Sequence, residues 1–170
     1  MEMPEAISHR SFVSYIDRTR AFYAAQGYDE PYRWAHFAGV PFAPLAKPLP
    51  ASRLVLVTTA SPPRDEAPDP GSLRGAKTVW SGPVSPPPER LFTDDLAWDK
   101  ETTHTDDVES FLPIRSVEAL AAEGRIASLA PRFHGVPTDY SARRTIELDA
   151  PEVLRRCRED EVDVALLVPL

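Results

Sequence analysis

The sequence predicts an α/β fold, a mostly parallel sheet with flanking helices, joined to an N-terminal helix and to long proline-rich loops. Three stretches predict it. In "DVALLVPL", Val164 to Val168 form an unbroken apolar run behind the charged turn "REDE". Such a run is the signature of a strand buried on both faces, as in parallel sheets. "RLVLVTTA", 53 to 60, has the same character. Between them helical and strand patterns alternate, which argues for layered α/β packing.

The elements follow in chain order. Across residues 5 to 26, Phe12, Tyr15, Ile16, Thr19, Phe22 and Tyr23 recur at helical spacing, and Gly27 stops the pattern. "YDEPYRWAHFAGVPFAPLAKPLP" then mixes aromatics with prolines and reads as an extended arm, with His36 packed among Trp34 and Phe37 and His9 on the open side of the helix. The division expected is residues 1–50 for helix and arm and 51–170 for the α/β domain, with a proline-rich loop over 61–90. A short extended piece is expected at "AKTVW" and a second strand at "ESFLPI". Ser116 is placed to cap a helix running through Glu123, which Gly124 closes. "RIASLA" fits strand or helix. Asp149, three residues before Glu152 and with Pro151 in the first turn, has the spacing of a capping box opening a last helix. Val153, Leu154 and Cys157 would be buried on that helix, with Arg155, Arg156 and Arg158 outward.

Composition narrows the function. The net charge of −7 disfavours a general nucleic-acid surface, which needs a basic face. No run approaches the ~18 apolar residues of a membrane helix, and "MEMPEAISHR" has no apolar signal core. The cytoplasm is the expected location. One cysteine, Cys157, rules out an internal disulfide framework, and its mid-helix apolar setting reads as a small core residue. Proline, 19 of 170 residues, is roughly twice its usual ~5 % share. Long extended segments are the consequence.

Two stretches carry candidate chemistry. "ETTHTDDVESFLP" sets His104 beside Asp106 and Asp107 among threonines. Imidazole next to carboxylate can move protons or bind metal; loop and cap chemistry is the plainer reading. "APRFHGVPTDYSARRT" gathers Arg132, His134, Tyr140, Arg143 and Arg144 on one stretch stiffened by Gly135 and two prolines. Guanidinium forks suit carboxylates, and His and Tyr transfer protons. The rival reading is a surface loop whose arginines pair with the protein's own carboxylates.

"SFLPI", "GRIASLAPRFHGVPTDYS" and "APEVLRRCREDEVD" together resemble the selenoprotein B family of glycine, sarcosine, betaine and D-proline reductases, over roughly residues 45 to 170. The closer likeness is to its short bacterial members. The resemblance implies that the strand matching "DVALLVPL" is followed at once by selenocysteine-x-x-cysteine or Cys-x-x-Cys, then by further helix–strand units. The family's redox residues have no counterpart in this chain, so a UGA codon read as stop after Leu170 is the expectation, with the sheet incomplete and the chain alone inactive as a reductase. The resemblance further implies a small-molecule substrate and a redox partner protein or reductase complex. His104, His134 and Tyr140 would be the catalytic proton donors, and Arg132, Arg143, Arg144 and Asp106 the substrate-binding groups, with no metal site. Self-association through an uncovered last strand is also expected. The alternatives are a non-catalytic subunit or binding module, and a metal-assisted hydrolase or lyase using His104, Asp106 and His134.

Overall fold

The computed structural model describes residues 13–28, 30, 36–40, 43–62, 78–93, 101, 102, 104–138 and 141–170. The chain divides into two compact units, Met1–Pro41 and Phe42–Leu170. The first carries α1 (Tyr15–Ala25), opened by Ser14, whose hydroxyl accepts the Asp17 N–H. Of the helix expected over 5 to 26, residues 1–12 lie outside the described region, Phe12 and His9 among them. No residue of α1 is buried. Gly27 follows it at φ +86°, a conformation glycine adopts without strain. His36, expected to pack, is exposed.

The second unit is a five-stranded sheet. β1 (Arg53–Thr58) lies at its centre. On one edge β1 pairs in parallel with β5 (Val164–Val168), from Leu54↔Val164 to Thr58↔Val168. Its other edge is shared by β3 (Ser128–Leu129), beside Arg53 and Leu54, and β4 (Arg132–Gly135), beside Val57 and Thr58. β2 (Trp80–Pro83) closes that side and is the sheet's antiparallel member, pairing with β4. β1 reads as a continuous apolar run because both its faces are covered. Leu54 and Leu56 point to one face, into a core with Phe133, Leu112, Ile114 and Val117. Ile114 and Val117 belong to α2 (Ile114–Ala122). Val55 and Val57 point to the other face, against Cys157 and Val153 of α4 (Ala150–Glu159).

Several expectations are corrected. "ESFLPI" is a 3-10 turn, Val108–Ser110, running into α2, rather than a strand. The Asp107 carboxylate accepts the Glu109 N–H and turns the chain there. Ser116 does not cap α2 but sits inside its first turn, where the Glu109 carboxylate accepts the N–H groups of Arg115 and Ser116 at 2.9 and 3.3 Å. A carboxylate seven residues upstream thus satisfies N–H groups that a local cap would otherwise take. The extended piece after residue 76 falls later than expected, at Trp80–Pro83.

The stretch 131 to 145 is not one loop. Its first part is β4, and from Ser141 the chain is helical: α3 (Ala142–Arg144), a π-helical turn Thr145–Asp149, then α4. Ser141 is the N-cap, its hydroxyl accepting the Arg144 N–H. Asp149 therefore opens nothing; its φ of −73° and ψ of −47° are helical and its carboxylate is buried. The wide turn just before Pro151 eases the clash a proline ring makes with the carbonyl four residues back. On α4 only Cys157 is buried, Leu154 is half exposed, and Arg156 turns inward. Among the described residues β5 pairs with β1 alone, an edge strand rather than a buried one, with Leu166 and Leu167 41 % and 70 % exposed.

Candidate functional site

β1 is followed in the sheet by β2, and α2, on the Leu54/Leu56 face, leads to β3; β4 is followed by α3 and by α4, on the opposite face, which leads to β5. Ligands of open α/β sheets bind in the crevice outside the carboxyl ends of the strands. The candidate site is therefore sought at the carboxyl ends of β1 and β4.

Side chains organise it. The Thr58 carbonyl accepts the Val136 N–H at 2.9 Å and its hydroxyl accepts the Ala60 N–H at 3.3 Å. Trp80 Nε1 donates to the Ala60 carbonyl at 3.2 Å, laying the indole across Gly135. A Cβ at Gly135 would fall 1.9 Å from Trp80 Nε1, so only glycine fits there. The Thr138 hydroxyl donates to the Thr59 carbonyl at 3.3 Å. The Thr59 hydroxyl accepts the Leu170 N–H at 2.9 Å and lies 3.2 Å from the Leu170 carbonyl, to which it donates.

Behind the crevice, under α4, lies a buried polar relay. Arg156 donates from Nε to Glu152 at 2.7 Å, from Nη1 to Ser81 Oγ at 2.7 Å and from Nη2 to the Val79 carbonyl at 3.0 Å. Ser81 Oγ is 2.8 Å from His134 Nδ1. Ser81 Oγ accepts from Arg156, and the imidazole tautomer sets which partner donates in its bond with Nδ1. His134 is fully buried, and among the described residues Nε2 has no hydrogen-bond partner. Burial, with help from the Arg132 and Arg156 charges, lowers the His134 pKa to about 4. Arg155 and then Arg156 hold the Glu152 carboxyl down at about 2. Burial pushes the Cys157 thiol up, as suits a packing residue.

The predicted site residues are dispersed. His134 is interior. Arg132 is occupied by Asp160 at 2.7 Å and Glu159 at 3.0 Å, the self-pairing arrangement; the Asp160 hydrogen bond leads in raising its pKa. His104 and Asp106 are neighbours on the surface, Nδ1 3.6 Å from the carboxylate. Arg143 is exposed on α3, and Arg144 Nε lies 3.9 Å from buried Asp149. Tyr140 lies outside the described residues. Of the set, the structure brings together Arg132 with His134, on one face of β4, and His104 with Asp106. The sequence reading missed Ser81, Thr59 and Thr138. It also missed the Glu152–Arg156 pair, whose i,i+4 spacing was the available signal.

A cleft of about 520 Å³ opens at the amino end of β1 and β5, lined by Lys47, Arg53, Arg158, Glu161 and Asp163. Its charges largely satisfy one another, Lys47 with Asp163 at 2.9 Å and Arg53 with Glu161 at 3.6 Å. Among the described residues no cluster of three His, Cys, Asp or Glu is set to hold a metal, and no helix is long and apolar enough to cross a membrane. No family model, curated protein or solved structure matches the chain.

Proposed function

We propose that the chain is a reductase-type protein of the selenoprotein B family, acting on a small molecule in the cytoplasm and re-reduced by a partner protein. A selenocysteine or cysteine pair, carried beyond the residue matching Leu170, would be its redox group. One observation carries the reading. Both main-chain groups of Leu170 are held by Thr59 at the carboxyl end of β1, beside the crevice at the carboxyl ends of β1 and β4. A chalcogenolate attached there would reach a ligand in that crevice, and a second thiol three residues further along would resolve its oxidised form. His104 and Arg143, both exposed, remain available as proton donor and anion anchor; His134 serves the relay. The gene tests the proposal. A selenocysteine or cysteine codon following that for Leu170, then a Cys codon separated from it by two codons, is the expected outcome. A reading frame without such a pair rejects it.

The edge of β5 that is left open among the described residues favours a second reading, a binding subunit that associates through this strand. An apolar edge without a charge, proline or bulge invites pairing. Sedimentation velocity over a concentration series should show association that Leu167→Lys abolishes. A monomer at every concentration rejects this reading and leaves the first untouched.

A further inference from the structure

We infer that Thr59 is a latch that makes the segment after β4 and the segment after β5 move as one over the crevice. The argument starts where the backbone ladders stop. β1 and β5 are in register as far as Thr58↔Val168. Beyond that point the Thr59 hydroxyl stands in for a strand, accepting the Leu170 N–H at 2.9 Å and donating to the Leu170 carbonyl at 3.2 Å. β1 and β4 are in register as far as Thr58↔Gly135, and the last backbone bond runs from the Val136 N–H to the Thr58 carbonyl at 2.9 Å. Beyond it, the Thr138 hydroxyl reaches the Thr59 carbonyl at 3.3 Å.

One residue therefore holds both segments, one by its side chain and the other by its main chain. Side-chain bonds open singly, whereas a ladder opens cooperatively, so these are the contacts at which the carboxyl end can loosen without unpairing the sheet. Because both act on Thr59, releasing Thr138 frees the Thr59 peptide and weakens the grip of its hydroxyl on Leu170. The inference rests on these bonds and is independent of the reductase reading.

Amide hydrogen exchange measured by NMR on the full chain tests it. Thr59→Val, nearly isosteric, should speed exchange of the Leu170 amide tenfold or more. Thr59→Ser, which keeps the hydroxyl, should stay within threefold of the parent. Thr138→Val should speed the Leu170 amide threefold or more, although Thr138 makes no bond to Leu170. The Val55 and Leu56 amides should hold their parent rates in all three, reporting an intact sheet. A Leu170 rate in Thr59→Val less than threefold above the parent would overturn the latch. A Leu170 rate that responds to Thr59→Val and not to Thr138→Val would overturn the coupling.

Discussion

On the face of the sheet that α2 covers, Leu54, Leu56 and Phe133 meet Leu112, Ile114 and Val117 in a continuous apolar core. On the face that α4 covers, the buried apolar set shrinks to Val55, Val57, Ala130 and Cys157, with Val136, Val153 and Val162 partly buried around it, and ionic and hydrogen bonds join the contact. Arg132 reaches Asp160 and Glu159; Arg156 joins Glu152, Ser81 and the Val79 carbonyl; Arg53 donates to the Asp160 carbonyl at 2.8 Å. Apolar contact is non-directional and scales with area. A guanidinium with three partners is directional, so it sets the position of α4 over β2 and β4 by angle as well as by distance. The α2 face supplies stability, and the α4 face supplies geometry and a dependence on pH.

The comparison breaks most easily on the apolar side. Phe133 is fully buried and packs edge-on against Trp80, ring centres 5.3 Å apart. Phe133→Ala should cost about 3–5 kcal/mol, the usual range for emptying a buried aromatic site. Urea unfolding should show the same loss at pH 7 and pH 5, since no titrating group is removed. A loss that varies strongly with pH would blur the division between the faces. Gly135→Ala should also lower the urea midpoint sharply, through the collision with the Trp80 indole, and Trp80→Leu in that background should recover part of it.

The α4 face should answer to acid. His134 has a pKa of about 4 in the fold against 6.5 when solvated. Between those values the unfolded chain binds the proton and the folded chain does not, so stability is full above about pH 6.5 and declines as pH falls toward 4. The difference amounts to about 3 kcal/mol. Stability measured from pH 7 to pH 4.5 should therefore slope in the parent and flatten in His134→Phe. Equal slopes in the two proteins would show that His134 is not the buried neutral group of this face.

The elements that local pattern controls were legible in the chain. β1 reads as a strand because Leu54 to Val57 run apolar on both faces, and Gly124, at φ +70°, ends α2 where expected. What escaped was set by distant partners. The start of α2 depends on Glu109 reaching forward from a separate turn. A run such as Val164 to Val168 looks the same at the centre of a sheet and at its edge, so only the pairing reveals that β5 is outermost among the described residues. The candidate site was less legible still. Arg132 and His134 stood out as chemistry-bearing residues, and both proved to be parts of the α4 framework. Ser81 and Arg156, 75 residues apart, carry no joint signal in sequence. Thr59 and Thr138 have the composition of ordinary strand ends.

The smallest expected effect is the sharpest test of how the α4 face works, because it separates two adjacent arginines. Arg155 and Arg156 both bond Glu152. Arg155 stays on the solvent side, with Glu152 and Glu159 as its partners. Exposed pairs of this kind, close along one helix and open to screening, contribute little. Arg156 reaches inward, and its loss leaves the Val79 carbonyl without that donor and the Ser81 hydroxyl with His134 Nδ1 alone. A buried group left without its partner costs about 1–3 kcal/mol. Arg156→Ala should therefore lower stability by about that amount and loosen β2, seen as faster amide exchange at Ser81 and Gly82. Arg155→Ala should leave the urea midpoint unmoved and the β2 amides unchanged. If the two variants proved equally damaging, the framework would owe its strength to charge on the helix surface rather than to the bonds beneath it.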